Sequence, residues 1–325
     1  MNGAAGWSPI SQDPFSSTPI NAIATGLIGS TQYWVIVGNA GRLATSIDGG
    51  LNWVLQSSGT TEDINDVAYN PDDESFLAVA DAGEYTHSTD GTTWTADASK
   101  FAALPEAAGG SFDIKTCCYD IGGQGFRAMW NFSGANEANA YTTDDTATWD
   151  STPNSGTEVN LTTGKMKNLD SIFGDIGTIY SNGQDTYTFD IIPDETGSVT
   201  VNLSGQDVVS ALLGFSAAGT SRLYNGHADG RIYLSTSLLD GTTFGVSGIR
   251  EFALSSTHQR IVAVADDGKI GYIDQASYAA GPFVLVANGS NPLANFAGLA
   301  WNDTDGLFIA VNDAGQILRS TNGIA

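Results

Sequence analysis

One pattern of residues recurs along the chain and limits how it can fold. An apolar run, a turn with glycine and a second apolar run lead into Ser/Thr-x-Asp-Gly and then an aromatic residue. A chain that repeats one unit of this size folds as stacked or radially arranged copies of that unit. The fullest copies are WVIVGNAGRLATSIDGGLNW (34–53), FLAVADAGEYTHSTDGTTW (76–94) and RLYNGHADGRIYLSTSLLDGTTF (222–244).

Weaker copies fill the rest of the chain. A fourth clear copy, LFIAVNDAGQILRSTNG, covers residues 307–323, and others begin near residues 127, 178 and 260. Dividing 325 residues by seven turn glycines gives about 46 residues per unit, which is the length of a four-stranded propeller blade. The turn glycines are Gly41, Gly83, Gly134, Gly183, Gly230, Gly268 and Gly315.

An apolar stretch precedes each copy and supplies a further strand, and no window has convincing helical periodicity. We therefore predict an all-β chain, a seven-bladed β-propeller with four antiparallel strands per blade, forming a single domain over residues 1–325. The predicted blades are about 20–57, 64–98, 111–152, 167–203, 207–246, 248–287 and 295–325.

The last copy reaches Gly323 without its aromatic residue. A ring of blades has to close, because otherwise its first and last sheets expose strand edges. The stretch GWSPIS at residues 6–11 offers the missing aromatic in Trp7. We predict that residues 6–12 supply the fourth strand of the last blade and close the ring.

The motif Ser/Thr-x-Asp-Gly followed by an aromatic residue resembles the Asp-box, or BNR repeat. Residues 38–53 are similar to the repeats of the photosystem II assembly-factor propellers. The resemblance implies that the Asp accepts backbone N–H bonds across the turn between strands three and four, while the aromatic packs beneath. The matching positions are Asp48, Asp90, Asp144, Asp240 and Asn322, with Trp53, Trp94, Trp149, Phe244 and Trp7.

The Asp-box group also contains sialidases, other glycoside hydrolases, receptors and virion proteins, so the resemblance indicates architecture more than activity. A sialidase needs an arginine triad and a Phe/Tyr-Arg-Ile-Pro motif, but here Arg231-Ile232 is followed by Tyr233. Another glycosidase needs two facing carboxylates, and the sequence singles out no such pair. We predict no catalytic residue, with a glycoside hydrolase kept as the third interpretation.

No cofactor or metal site is predicted either. The stretches NDTDG (302–306) and NPDDES (70–75) crowd oxygen atoms as calcium loops do. Both fall where a strand hairpin is expected, however, and neither has the ligand spacing of an EF-hand. Calcium therefore remains an alternative without support from the pattern.

The charge of the chain is one-sided, with 36 acidic and 12 basic residues and a net charge of −24. Such a field repels phosphate backbones and anionic lipid, so nucleic acid is not an expected partner. No apolar stretch is long enough for a membrane span, and we predict no membrane insertion.

Acidic side chains gather at the turns between strands two and three, on the face where propellers usually bind. This candidate docking face also collects two long loops, 98–111 and 131–140. An acidic face prefers a basic protein surface or a cation-bridged glycan. Its predicted residues are Asp81, Glu84, His227, Asp229, Asp266, Asp267 and Asp313.

We therefore interpret the chain as a non-enzymatic interaction or structural module. The N-terminus has neither the basic nor the apolar region of a secretory signal, while the composition is poor in lysine and rich in Gly, Thr and Asn. This combination is typical of phage virion proteins. The first interpretation is a tail or host-attachment protein in the virion, with virion components or a host-surface receptor or glycan as partners. The second is an assembly-factor or receptor-type scaffold, extracellular or luminal if a signal was removed.

Overall fold

The computed structural model describes one part of the chain. Its residues are 6–98, 112–120, 125–132, 138–142, 149–150, 168–169, 176–179, 186–192, 197–202, 208–215, 221–234, 237–274, 282–286 and 295–324. Within them the chain is all-β, with short 3₁₀ turns at Asp81–Gly83 and Asp266–Gly268. In the same residues, no helix has the length and apolar character that crossing a bilayer would require.

The described strands form seven four-stranded antiparallel sheets, numbered here in chain order. Sheet 1 contains β2 (Ile20–Ile28), β3 (Thr31–Gly38), β4 (Arg42–Ser46) and β5 (Val54–Ser57). Sheet 2 contains β6 (Ile64–Asn70), β7 (Ser75–Ala80), β8 (Tyr85–Ser88) and β9 (Thr95–Asp97). Sheet 3 contains β10 (Phe112–Asp120), β11 (Gly125–Phe132), β12 (Ala138–Thr142) and β13 (Trp149–Asp150). Sheet 4 contains β14 (Asn168–Leu169), β15 (Ile176–Ile179), β16 (Thr186–Ile192) and β17 (Gly197–Asn202).

The last three sheets follow the same order, except that the final one takes a strand from the N-terminal region. Sheet 5 contains β18 (Val208–Phe215), β19 (Ser221–His227), β20 (Ile232–Leu234) and β21 (Ser237–Asp240). Sheet 6 contains β22 (Ile249–Ser255), β23 (Arg260–Ala265), β24 (Ile270–Asp274) and β25 (Val284–Leu285). Sheet 7 contains β26 (Phe296–Asn302), β27 (Leu307–Asn312), β28 (Ile317–Ser320) and β1 (Ser8–Pro9). The all-β, four-stranded antiparallel prediction is confirmed.

The hydrophobic core lies between neighbouring sheets. The second strands β7 and β27 are buried along their whole length, whereas most residues of the outermost β5 and β25 are exposed. Between sheets 1 and 2, Val35 and Val37 pack with Phe76 and the box aromatic Trp94. Burying an apolar side chain of this size contributes about 1.5–3 kcal/mol, so each sheet depends on its neighbour for stability.

The first strands of the sheets contact one another in series. Contacts run from β2 through β6, β10, β14, β18 and β22 to β26, and β26 contacts β2. In sheet 7, Ser8 lies opposite Arg319, and Ile10 N donates to Ile317 O at 3.1 Å. Trp7 is buried, and its ring centroid lies 6.2 Å from that of Phe308. The predicted strand from the N-terminal region is therefore present.

An antiparallel sheet of four strands places its hairpins at two opposite ends, which define two faces. The turns between second and third strands lie beside the connections that lead into the first strands. In four sheets, the residue that follows the second strand donates its backbone N–H to the residue before the first strand. These pairs are Asn39 with Pro19, Asp81 with Asp63, Asp266 with Gly248, and Asp313 with Asn295. We call this the turn face and the opposite one the box face.

The turn glycines have a direct structural reason in sheet 1. Gly41 has a φ of 66°, a left-handed conformation that residues with a Cβ rarely adopt. A Cβ added to Gly41 would also lie 2.1 Å from Thr60 O. The glycine is therefore required both by the turn and by the close approach of the segment after β5.

Two of the box residues lie in the predicted turns, and another does not. Asp48 lies between β4 and β5, and Asp90 lies between β8 and β9. Asp240, in contrast, is the last residue of the fourth strand β21 rather than part of the turn before it. Sheet 5 forms its fourth strand ahead of the motif, and Asp240 Oδ1 still accepts the amides of Thr242 and Thr243, the same two positions that bond to Asp90. Asp144 and the side chain of Trp149 lie outside the described residues.

Candidate docking face

The predicted acidic residues of the turn face occupy tight turns. Asp81 and Asp266 each open a 3₁₀ turn, and the following residues, Ala82 and Asp267, have φ values of 57° and 59°. These turns hold the aspartate side chains beside the connections into the first strands. Their position is set by the backbone and not by a flexible loop.

One base pairs with two acids where sheets 2 and 3 meet. Lys115, on the first strand of sheet 3, lies 2.7 Å from Asp81 Oδ1 and 3.1 Å from Asp113 Oδ2. Burial would lower the pKa of Lys115, but the hydrogen bonds and charges of Asp81 and Asp113 outweigh it and raise the pKa. The lysine is therefore firmly protonated and bridges two sheets.

Further ion pairs follow around the face. Arg250 binds Asp266 through two contacts, Nε to Oδ1 at 2.7 Å and Nη2 to Oδ2 at 3.2 Å. Lys269 Nζ lies 3.0 Å from Asp267 Oδ2, and Arg231 Nε lies 3.2 Å from Asp229 Oδ2. Four bases therefore pair with acids of this face, so part of the negative charge that the sequence predicts there is neutralised within the chain.

A set of side chains that sequence reasoning missed lines the junctions between first strands. In six sheets the register of the first strand shifts near its start, as in a β-bulge, after the first residue in five of them and after Ile114, the third residue, in β10. We call four of the extra residues the collar: Asn21, Asn65, Lys115 and Arg250. Bulges re-aim a side chain away from the regular pleat, and here the collar side chains reach toward the strand 2–3 turns of the turn face.

The contacts of the two collar asparagines repeat from sheet to sheet. Asn21 Nδ2 donates to Asn39 Oδ1 at 2.7 Å and to Ile64 O, in the next sheet, at 2.9 Å. Asn65 Nδ2 donates to Asp81 Oδ1 at 2.7 Å and to Ile114 O, again in the next sheet, at 2.8 Å. Each amide therefore joins its own turn to the neighbouring first strand. In the sequence, each collar residue is an Asn, Lys or Arg that directly follows an isoleucine.

His227 does not belong to the docking face. It was predicted on the strand 2–3 turn, but it is the last residue of β19 and is 1% exposed. Its ring packs 4.6 Å from the ring of Tyr233. The chain continues as a strand one residue further than the glycine turn suggested, which places the imidazole in the interior.

The remaining predicted features of this face are only partly described. Asp313 is exposed, and its Oδ2 accepts a bond from Asn295 Nδ2 at 3.0 Å. Glu84 follows the turn of sheet 2 and is half-buried. Most of loop 98–111 lies outside the described residues. The ends of the predicted loop 131–140 belong to strands β11 and β12, and residues 133–137 between them are not described.

On the box face, the loops considered for calcium use their oxygens for internal bonds. Asp72 Oδ2 accepts from the Tyr119 hydroxyl at 2.5 Å, and Asp305 Oδ2 accepts from Trp34 Nε1 at 2.6 Å. Asp303 Oδ1 accepts from Ser256 Oγ at 2.6 Å and Trp301 Nε1 at 2.8 Å. Among the described residues, no group of three or more His, Cys, Asp or Glu is arranged to hold a metal ion.

The carboxylates of the box aspartates also accept hydrogen bonds from within the chain. Asp48 Oδ1 accepts the backbone N–H groups of Leu51 and Asn52 at 3.1 and 2.9 Å. Burial would raise the pKa of Asp48, but bonds from Asn52, Ser46 and Leu51 lower it below 3.8. In sheet 2, Asp90 Oδ1 accepts from the Thr93 and Thr92 amides, and its pKa is also lowered against the opposing effect of burial. These carboxylates hold turns together.

Comparison with known proteins identifies the architecture. No protein-family model matches the chain, and no curated protein is detectably similar to it in sequence. The fold itself is widespread, since 1431 chains of solved structures match it.

Two of the matching structures cover almost the whole chain. YCF48 from Cyanidioschyzon merolae matches with a TM-score of 0.70 and 14% identity, over 97% of this chain and 99% of that one. A structure of YCF48 bound to D1 peptide matches with a TM-score of 0.68 and 16% identity, over 98% of both chains. The chain therefore has the β-propeller fold of these proteins. At such identities the likeness concerns fold and not activity.

Proposed function

We propose that the chain is a closed seven-bladed propeller that acts as a non-enzymatic scaffold and binds a segment of a partner protein on its turn face. The continuous series of contacts between first strands, returning from β26 to β2, supports the closed ring. The pairing of β1 with β28 supports it further, since this bond covers the outer edge of sheet 7. A closed ring gives the turn face a rigid frame.

The collar is the observation that carries the binding proposal. Bulges fix its amide and cationic side chains at the junctions of the first strands, and turn aspartates hold them in place. A site built on strands keeps its geometry better than one built on loops. Lys115 and Arg250 already have acidic partners within the chain, so the face does not offer unpaired positive charge. It fits a polar segment that is neutral or basic.

The comparisons favour the assembly-factor or receptor-type scaffold over the virion protein. Residues 38–53 resemble photosystem II assembly-factor repeats, and two of the matching solved structures are YCF48 proteins, one of them with a peptide bound. The structure of YCF48 bound to D1 peptide supports a protein partner. No comparison supports a tail or attachment role, so the virion interpretation is not carried further.

The test uses the full chain and short synthetic peptides graded from acidic to basic. We expect the basic peptides to bind best and to bind more weakly as salt rises, because exposed charges are screened within about 10 Å at 0.1 M. Reversing Asp266 and Asp267 to lysine should weaken their binding about tenfold or more. The measurement is fluorescence anisotropy, with circular dichroism to show that the fold is kept.

A matched control changes charge on the opposite face. Asp73 lies in an exposed turn of the box face, and Asp73→Lys alters the net charge by the same amount per residue. If Asp73→Lys weakens peptide binding as much as a single reversal at Asp266, binding reflects total charge and the turn-face proposal is wrong. Preferential binding of acidic peptides would also contradict it.

A further inference from the structure

Arg319 lies where sheets 7 and 1 meet on the box face. It is the third residue of β28, and its side chain packs against the box turn of sheet 1, residues 46–53. A Cβ placed on Gly49 would lie 3.2 Å from Arg319 Nη2, and one placed on Gly50 would lie 3.8 Å from Arg319 Cδ. The guanidinium is therefore held against two residues that have no side chain.

The glycine pair distinguishes this box turn from those of sheets 2 and 5. Its aromatic residue follows the aspartate by five positions, whereas the other two boxes have a spacing of four. Gly49 and Gly50 are both left-handed, with φ values of 68° and 73°, where sheet 2 has the single glycine Gly91. The bonding of the turn does not need the extra residue, because Asp90 accepts two amides without it. The longer turn instead leaves room for Arg319.

The guanidinium of Arg319 has a buried edge and an open one. Its Nε is buried without a hydrogen-bond acceptor, whereas Nη1 and Nη2 are not buried. Among the described residues, none accepts a hydrogen bond from Arg319 or forms an ion pair with it. A guanidinium characteristically donates two parallel bonds to one carboxylate. The open edge of Arg319 therefore presents two donors that the chain itself does not use.

Two carboxylates lie near Arg319 but are bonded elsewhere. Burial lowers the pKa of Arg319, and the charges of Asp48 and Asp305 oppose this effect without outweighing it. Asp48 Oδ1 accepts amides of its own turn, and Asp305 Oδ2 accepts from Trp34 Nε1 at 2.6 Å. Within the described residues, Asp48 Oδ2 accepts only from Asn52 Nδ2, and Asp305 Oδ1 accepts no bond. Acceptors with spare capacity therefore lie beside the two unused donors.

Large apolar side chains flank these polar groups in the same turn. Ile47 directly precedes Asp48 and is 65% exposed, and Leu51 directly follows Gly50 and is 52% exposed. Apolar surface with a few convergent polar groups is typical of binding sites. We call Arg319, Asp48, Asp305, Ile47 and Leu51 together the Arg319 site.

We infer that the Arg319 site binds the free C-terminus of a partner protein that ends in an apolar residue. The terminal carboxylate accepts from Nη1 and Nη2 of Arg319. The terminal residue also has a backbone N–H on the same Cα, which donates to the free oxygen of Asp305 or Asp48. Its apolar side chain packs on Leu51 and Ile47.

Local charge and spacing favour a C-terminus over other anions. A phosphate group carries about 1.5–2 negative charges at pH 7, and Asp48 and Asp305 oppose these more strongly than the single charge of a carboxylate. In an acidic side chain, methylene groups separate the carboxylate from the backbone N–H, so the donor and the acceptor are less closely paired. The Arg319 site lies on the box face, so this inference does not depend on the proposed function.

The experiment measures binding of the full chain to a library of short N-acetylated peptides that end in Leu, Ile, Val or Phe with a free carboxylate. The same peptides with a C-terminal amide lack the charged acceptor, and amidated peptides with an internal glutamate supply a side-chain carboxylate instead. We expect the best free-acid peptides to bind at least about tenfold more tightly than either. Arg319→Gln should remove this preference, whereas Arg42→Gln, which removes the same charge at the turn-face end of β4, should keep it.

A second variant and a fold control accompany this comparison. Leu51→Thr changes an exposed side chain and should weaken binding of the free-acid peptides about threefold or more, while circular dichroism shows that both variants are folded. The inference is overturned if amidated peptides bind the native chain as tightly as free acids, or if no free-acid peptide binds at about 1 mM. Equal losses in Arg42→Gln and Arg319→Gln, or a preference for internal glutamate, would overturn it as well.

Discussion

Asp240 and Asp90 provide a matched test of how the box carboxylates stabilise the propeller. Asp240 is 2% exposed, and its Oδ1 accepts the amides of Thr242 and Thr243, both at 3.0 Å. Its Oδ2 also accepts the amide of Phe283, the residue before β25 of sheet 6, at 2.9 Å. Asp90 is exposed and accepts the two amides of its own turn and the Ser88 hydroxyl, the latter at 3.2 Å. Asp240 therefore joins two sheets, whereas Asp90 closes one turn.

The contacts allow the two costs to be compared. A hydrogen bond to a charged group contributes about 1.5–3 kcal/mol, and leaving a buried donor without a partner costs about 1–3 kcal/mol. In Asp240→Ala the Phe283 amide is buried and water cannot replace the carboxylate, so we expect a loss of about 3–5 kcal/mol. In Asp90→Ala water can reach both turn amides, and the expected loss is about 1–2 kcal/mol.

The assay is urea unfolding of each variant, followed by tryptophan fluorescence and circular dichroism. Asp240→Asn keeps a side-chain oxygen that can accept from one set of amides. Its free energy of unfolding should therefore lie between those of the native chain and Asp240→Ala. If Asp90→Ala lowers the free energy of unfolding as much as Asp240→Ala, the bond from the Phe283 amide to Asp240 adds no stability to that of the turn bonds. The reasoning from burial would then be refuted.

Two further predictions concern the ring and the acid stability. Deleting residues 1–12 removes Trp7 and β1 and should cost at least about 3–5 kcal/mol and promote aggregation; unchanged melting and solubility would contradict closure. The pKa of Asp48 is lowered by its hydrogen bonds, although burial opposes this. A carboxyl with a depressed pKa stabilises the fold above its unfolded pKa of 3.8 and loses this effect as pH falls. In Asp48→Asn the urea midpoint should therefore fall less steeply between about pH 5 and about pH 2 than it does in the native chain. An unchanged slope would exclude Asp48 as a source of acid sensitivity.

The sequence predicted strands and turns well where the repeat keeps its full spacing. In sheets 1 and 2 the box motif has a strand on each side, as its pattern indicates. Asp240 has the same spacing to its aromatic as Asp90, yet it ends a strand, because pairing of β20 with Ser237–Asp240 takes place before the motif. The spacing of the motif does not indicate which segment pairs with the third strand to form the fourth.

The docking face was less predictable for two physical reasons. Burial of His227 depends on where a strand ends, and strand ends are the least certain feature of a sequence pattern. The ion pairs of Lys115 with Asp81 and of Arg250 with Asp266 join residues that lie 34 and 16 positions apart in the sequence, and the repeat pattern does not indicate these pairings. A count of acids therefore overstated the bare negative charge. The bulge positions could have been found, since an isoleucine precedes each collar residue.

The bulge near the start of six first strands also determines which positions of the sheets can vary independently. Equivalent positions hold amides at Asn21 and Asn65, cations at Lys115 and Arg250, and a methyl group at Ala297. Each lies between residues that remain buried, such as Ile64 and Asp66 around Asn65. Side chains at these positions can therefore change one sheet at a time, in size or in charge, without disturbing the buried residues on either side.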